Sequence, residues 1–150
     1  MTAQFAEKIL YRGEEMALLT TPLADLFTLR ESKPQFDPDC TALIRGYMGT
    51  WQIDEGKLWL IALEGKLKDG TDSQVTTLFP DTSGPVLADW FSGTLRIPQG
   101  ELLEYVHSGF KSIYERDLLL EVDKGCIVSE SVQHNTRSDG STRPWFDDED

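Results

Sequence analysis

The sequence contains little of what metal proteins and most enzymes use. Its 150 residues include only two cysteines and two histidines, and neither Cys40 nor Cys126 belongs to a CxxC or Cys/His cluster. We therefore predict no zinc site. In a reducing cytoplasm both thiols are expected to be free, a single disulfide between them being the alternative. Dinucleotide-binding, Walker A, HExxH, EF-hand and GxSxG motifs are missing too, so no cofactor is predicted.

Long hydrophobic runs and basic residues are also scarce. No run approaches the roughly 18 apolar residues of a membrane helix. The stretch "MTAQFAEKILYRGEE" has no basic flank and no cleavage site typical of an export signal. These absences favour a cytoplasmic protein without a membrane partner. Lysine and arginine number 14 against 26 acids, a net charge of −12. Such a charge repels nucleic acid and suits a basic protein partner.

The composition that is present indicates one globular domain. Apolar residues make up 39% and charged residues 27% of the chain, which is ordinary for a single buried core. We predict one mostly-β domain over residues 1–134. Residues 135–150 are polar and end in four acids, which predicts a disordered tail. Within it, Trp145-Phe146 is either a short docking motif or part of a loose end. The oligomeric state is not predicted.

Short alternating segments and glycine-containing turns predict strands and hairpins. Residues 5–20 have the pattern of two strands about a turn at Gly13. Asp54-Glu55-Gly56 and Asp123-Lys124-Gly125 are expected to be three-residue hairpin loops, with glycine in the left-handed region. The segment "KLWLIALEG" is apolar on both faces. A strand of this kind usually lies inside a sheet that is covered on both sides.

Other segments predict the remaining elements. Pro22 fits the first position of a helix of about two turns. "QVTTLF" has the composition of a short strand, and "PVLADWFSGTLRI" that of a long strand bent near Gly93. "PQGELLEYVHSG" is compatible with either a short helix or an irregular strand. The predicted fold class is mainly β, a single-domain antiparallel sheet or half-open barrel with one or two short helices. By strict count an α+β assignment is also compatible.

The tryptophans have two interpretations. A small β domain commonly fills its core with such rings, and we predict that Trp51, Trp59 and Trp90 are buried in the core. An exposed row of rings would instead indicate ligand stacking. Gly46 and Gly49 are expected to make room for large neighbours, since glycine in a strand usually serves bends and packing.

Charged residues inside apolar segments supply the candidate site. Arg45 lies in "ALIRGYMGTW" and Asp89 in "PVLADWFSG". They are expected to pair, to face solvent, or to form a polar cluster with Asp89 as ligand anchor or general base. On a helix, His107 and Glu104 would share a face and could exchange protons. No catalytic residue is assigned. The candidate binding residues are Arg45, Tyr47, Trp51, Asp89, Trp90 and His107.

Four segments of the sequence resemble segments of a family of small bacterial proteins. They are "YRGEEMALLTTPL", "RGYMGTWQIDEGKLWL", "GPVLADWFSGTLRIPQGELLEYVHSGF" and "YERDLLLEVDKG". Members of that family are labelled only hypothetical or plasmid-related. The resemblance covers roughly residues 8–128 and implies a bacterial, cytosolic protein with a link to mobile elements. It transfers no activity and no site residue.

Three functional hypotheses follow, in decreasing order of support. The first is a non-enzymatic protein-interaction module, with an inhibitor- or immunity-like role against a basic protein as one form of it. The second is a small-molecule-binding β domain whose pocket is lined by Tyr47, Trp51 and Trp90. The third is a hydrolase that uses Asp89, Glu104 or His107.

Overall fold

A computed structural model describes residues 5–30, 34–38, 43, 45–82, 84–106, 110–137 and 140. Within these residues the chain forms ten strands and two short helices. The strands are β1 (Glu7–Tyr11), β2 (Glu14–Leu18), β3 (Phe36–Asp37), β4 (Met48–Asp54), β5 (Lys57–Glu64), β6 (Lys66–Leu67), β7 (Val86–Leu87), β8 (Gly93–Glu104), β9 (Ile113–Asp123) and β10 (Cys126–His134). The helices are α1 (Pro22–Leu29) and α2 (Val75–Leu78).

One curved sheet of eight strands dominates the fold. Its order is β2-β1-β4-β5-β10-β9-β8, with β7 added to β5, while β3 and β6 form a separate pair. The prediction of a mainly β fold with one or two short helices is confirmed. The sheet is mixed, not purely antiparallel, because β1 runs parallel to β4. It is not closed into a barrel, although the Leu19 N–H reaches the Arg96 carbonyl across the gap at 2.8 Å.

Three hairpins share one turn geometry. Arg12-Gly13, Glu55-Gly56 and Lys124-Gly125 each join two antiparallel strands, and both residues of each turn have positive φ. This is the two-residue type I′ turn, whose twist matches that of the flanking strands. The predicted three-residue loops were one residue too long, since Asp54 pairs with Lys57 and Asp123 pairs with Cys126.

The central strand β5 is flanked by strands on both sides, as its double apolar pattern predicted, but Trp59 and Ile61 on one face are only half-buried, so the predicted cover on both faces is incomplete. β4 pairs along its length, while β10 and β7 pair with its other edge. Leu58 and Leu60 are fully buried there. Trp51 on β4 is also fully buried, which confirms it as core mass, and Trp59 and Trp90 are half-buried.

Two predicted strands have a different structure. Residues 75–78 form the helical turn α2, because the Gln74 N–H donates to Thr77 Oγ1 at 2.9 Å and Pro80 follows. This local capping outweighs the strand preference of the β-branched residues. The predicted long strand is broken between β7 and β8 by a turn in which the Phe91 N–H bonds to the Ala88 carbonyl. That turn directs both side chains into the core.

The remaining predictions on this part of the chain concern residues 99–106 and the thiols. The segment after Gln99 is an irregular strand with two register shifts, so the helix alternative is wrong up to Glu104. Cys126 is a free, exposed thiol, and Cys40 lies outside the described residues. In the described ranges, no helix has the length and apolarity needed to cross a membrane.

Candidate functional site

An open groove lies where α1, α2 and β7 meet. Its volume is about 650 Å³, within the range of ligand-binding clefts. The apolar residues that line it are Leu78, Phe79, Pro80, Pro85, Val86 and Leu87. Arg30, Asp81 and Asp89 supply its charged groups, and both aspartates are exposed. We call this the β7 groove.

A second groove of about 420 Å³ continues the first along β5. The two grooves share Thr82 and Pro85 among their lining residues. The continuation is lined by Ile61, Ala62 and Leu63 on one side and by α2 on the other. The two grooves therefore adjoin each other beside β5.

Arg30 is held in place by the groove's own groups. Its Nη1 donates to the Leu78 carbonyl at 2.8 Å, and its guanidinium lies over the Phe79 ring, 4.8 Å from the centroid. A cation in this position interacts favourably with the ring face. Arg30 therefore links the end of α1 to the end of α2. Because its guanidinium is engaged in these contacts, less of its charge is available to a ligand.

A column of aromatic rings runs from the groove into the core. Phe79 stacks on Trp90 with the centroids 5.6 Å apart, and Trp90 meets Trp51 edge-on at 6.3 Å. Trp90 Nε1 donates to the Pro22 carbonyl at 2.9 Å, which anchors the start of α1. Such ring pairs add stability beyond their buried area. The floor of the groove is thus rigidly supported.

A buried carboxylate lies at the inner end of this column. Glu7 is fully buried and accepts hydrogen bonds from Trp51 Nε1 at 3.2 Å and from the Gly49 N–H at 2.8 Å. Arg45 Nη2 donates to it at 2.8 Å. Burial raises the pKa of Glu7, and the Arg45 guanidinium opposes that shift only in part. Gly49 is required because a Cβ there would lie 2.8 Å from Glu7 Oε1.

Arg45 lies between two rings at the end of the sheet. Its guanidinium carbon is 5.5 Å from the Tyr47 centroid and 5.7 Å from the Phe110 centroid. Nε and Nη1 of Arg45 are buried and have no hydrogen-bond partner among the described residues. Burial raises the pKa of the Tyr47 hydroxyl above its ordinary value. This cluster holds the loop before β4 onto β1, which is a structural role.

A second polar cluster surrounds Arg96. Its guanidinium donates to the carbonyls of Phe110 and Ser112 at 2.6 and 2.9 Å, and Nε is 3.1 Å from Asp117 Oδ2. Asn135 Nδ2 donates to the same oxygen at 3.2 Å. These contacts tie the segment before β9 and the residue after β10 to the sheet.

Four of the six predicted site residues lie in one connected structure. Arg45, Tyr47, Trp51 and Trp90 are linked by the ring contacts and by Glu7. Of the alternatives for these two charges, the Arg45–Asp89 pair is wrong, because Arg45 bonds to Glu7, while Asp89 is exposed in the β7 groove, as the solvent-facing alternative expected. Glu7 itself was missed. Side chains alternate along β1, so Glu7 lies on the same buried face as Ile9. An acidic residue on an otherwise apolar face is the signal that would have indicated it.

Other predicted features remain untested. His107 lies outside the described residues, as do Trp145 and Phe146. The hydrolase hypothesis, which names Asp89, Glu104 or His107, stays a prediction, because its test is whether Asp89 and His107 lie within reach of one substrate. Within the ranges that the structure covers, no three His, Cys, Asp or Glu residues are grouped closely enough to hold a metal ion.

Comparisons with protein-family models, with curated proteins and with solved structures find no match to this chain. The resemblance to small plasmid-related bacterial proteins accordingly stays a prediction.

Proposed function

We propose that this chain is a non-enzymatic protein-interaction module that binds a partner segment in the β7 groove. The observation that carries the proposal is the groove's combination of an apolar floor with the exposed rim carboxylates of Asp81 and Asp89. A segment with apolar side chains flanked by lysine or arginine would complement both features. An inhibitor- or immunity-like protein of the bacterial cytoplasm, directed at a basic protein, is the specific form of this proposal.

The charge of the whole chain supports a basic partner. A net charge of −12 attracts a basic surface at long range and raises its association rate. Arg30, the cation in the groove, is occupied by the Leu78 carbonyl and the Phe79 ring. The acids at the rim are therefore the charges that an incoming segment meets. Rim charges of this kind set the rate and the choice of partner more than the affinity.

A peptide selection tests the proposal without knowledge of the partner. The intact chain is used to select from a random peptide library, and the selected peptides are expected to combine apolar residues with lysine or arginine. Asp89→Lys should weaken their binding roughly tenfold, mainly through a slower association rate. Glu15→Lys, the same charge change at an exposed position of β2, is the matched control and should weaken it much less. Equal losses in both variants, or selected peptides without basic residues, would contradict the proposal.

A small-molecule ligand is the second candidate, and the volume of the β7 groove favours it. At about 650 Å³, the groove can hold a drug-sized molecule with Asp89 as a polar anchor. A metabolite library screened by thermal shift would then reveal compounds that raise the melting temperature by linkage. Leu87→Glu, which alters the floor, should abolish the shift. A compound that stabilises this variant equally well binds elsewhere.

A further inference from the structure

The outer edge of β10 carries backbone groups that no described strand pairs with. β10 pairs with β5 only at Cys126 and Lys57. After the register shift between Ile127 and Ser129, residues 129–134 pair with β9 alone. An edge strand of this kind offers a row of free donors and acceptors to another chain.

The direction of these groups follows from one hydrogen bond. Asn135 donates its backbone N–H to the Glu115 carbonyl at 2.9 Å, so alternate residues before it also turn their backbone towards β9. The residues in between are Glu130, Val132 and His134. Their N–H and C=O groups point away from β9, at the outer edge.

Residues 129–134 of this edge have neither a proline nor a register shift, two features that usually protect an edge strand. All six residues from Ser129 to His134 are exposed, and Val132 has 48% of its surface accessible. The outer edge of β8 is different, since Pro98 has no N–H and Gly100 lies beside two register shifts. Prolines and irregular registers are typical means of blocking unwanted strand pairing. Residues 129–134 contain no proline, glycine or lysine.

We propose that β10 pairs with β10 of a second copy of this chain, antiparallel and centred on Val132. The proposal is independent of the β7 groove. A two-fold axis at this residue places Val132 opposite Val132 of the partner subunit. Glu130 then lies opposite His134 of the partner subunit, and the reverse pair forms on the other side. The two sheets join into one continuous sheet.

The pairing of Glu130 with His134 of the partner subunit supports a second copy as the occupant and favours this register over one centred on Glu130. Glu130 is already 2.7 Å from Arg12 Nη2 on its own chain, so its negative charge is partly balanced. An imidazole opposite it can donate an N–H to the carboxylate. A two-fold axis centred on Glu130 would instead place two glutamates opposite each other, and like charges at opposed positions are destabilising. The net charge of −12 on each copy predicts that added salt strengthens the dimer.

Sedimentation velocity across a dilution series tests the pairing. The wild-type chain is expected to pass from monomer to dimer as its concentration rises. His134→Glu should raise the dimer dissociation constant roughly tenfold, and His134→Lys should lower it. Thr76→Glu adds the same charge as His134→Glu at an exposed position of α2 and should have little effect. A monomer at every concentration, or equal responses to the two glutamate variants, would overturn the proposal.

Cross-linking tests the register. In a Cys126→Ser background, Val132→Cys places two thiols across the two-fold axis, at a spacing suited to a disulfide. Oxidation should give a disulfide-linked dimer, mapped by mass spectrometry. Val128→Cys is the matched control, because Val128 is more exposed, at 63%, yet lies eight residues in register from its counterpart. Cross-linking through position 128 as readily as through 132, or through neither, contradicts the proposed register.

Discussion

The β4–β5 and β9–β10 hairpins are closed by the same type of turn but occupy opposite environments. Both residues of Glu55-Gly56 and both residues of Lys124-Gly125 have positive φ. β5 is nevertheless central, with Leu58 and Leu60 fully buried. Residues 129–134 of β10 are all exposed and pair on one side only. The turn therefore determines that a hairpin forms, and the side chains of the two strands determine whether the hairpin is buried or exposed.

The second strands of these hairpins, β5 and β10, show that side-chain composition decides whether a hairpin is buried. "KLWLIALE" is apolar on both faces and can be covered by neighbours above, below and on either side. "CIVSESVQH" has two serines and a glutamate between its valines and ends in glutamine and histidine, so neither face can be buried without a cost in polar desolvation. The first strand is suited to build a core and the second to meet another chain.

The largest expected loss of stability comes from a substitution in the buried β4–β5 hairpin. Trp51→Ala removes a fully buried ring and should lower the free energy of unfolding by about 4 kcal/mol. Val132→Ala on β10 should change it by less than about 0.5 kcal/mol. Urea denaturation of both dilute variants measures the difference. Comparable losses would show that β10 is packed and not exposed.

The ion pair at the inner end of the column is the next largest contribution. Arg45→Met leaves the buried Glu7 carboxylate without its counter-charge, which should cost about 3 kcal/mol at neutral pH. Because a carboxyl group without Arg45 is more readily protonated, the loss should shrink at acid pH. Arg12→Met removes the exposed partner of Glu130 and should cost less than about 1 kcal/mol. A loss for Arg45→Met that is the same at every pH would contradict this assignment.

The pH dependence of Glu7 can be isolated with Glu7→Gln. Burial raises the pKa of Glu7 in the folded state above its ordinary value of 4.5, so the folded protein holds this proton more tightly than the unfolded chain. The resulting stability is fully present below pH 4.5 and is lost as the pH rises through the folded pKa. The difference in unfolding free energy between wild type and variant should therefore fall with rising pH. A difference that increases with pH would indicate a lowered pKa instead.

The two turns themselves should differ by a smaller amount. Gly56→Ala meets open space, so only its φ of +73° opposes the substitution, at about 1 kcal/mol. Gly125→Ala is strained in the same way, and its Cβ would also lie 2.9 Å from the Ala88 carbonyl oxygen. We expect a loss of about 2 kcal/mol there. Equal losses of stability, measured by thermal denaturation, would mean that the backbone at Ala88 moves away from the added methyl group at little cost.

Much of the fold could be predicted because its signals are local. Alternation and glycine turns give the hairpins, and the double apolar pattern gives the central place of β5. What was missed depends on contacts distant in sequence. Arg45 finds its partner 38 residues away in Glu7, and nothing near Arg45 indicates that choice. At α2, the Gln74–Thr77 hydrogen bond and Pro80 outweigh a composition typical of strands.

The candidate site was predictable only in part for the same reason. Trp51 and Trp90 belong to one ring column, but the groove above them depends on Arg30 and on the segment between α2 and β7. That segment contains no motif. Its shape depends on the hydrogen bond from Arg30, just after α1, to the Leu78 carbonyl at the end of α2, a contact between distant residues that no local pattern encodes.

Residue-resolved hydrogen exchange in dilute solution tests the comparison most directly. Leu58 donates its N–H to the Gly125 carbonyl at 2.8 Å inside the sheet and should exchange slowly, near the rate of global unfolding. The amides of Glu130, Val132 and His134 should exchange at rates close to those of an open chain. Slow exchange at these three positions in the dilute protein would show that the outer edge of β10 is already covered, and would contradict the account.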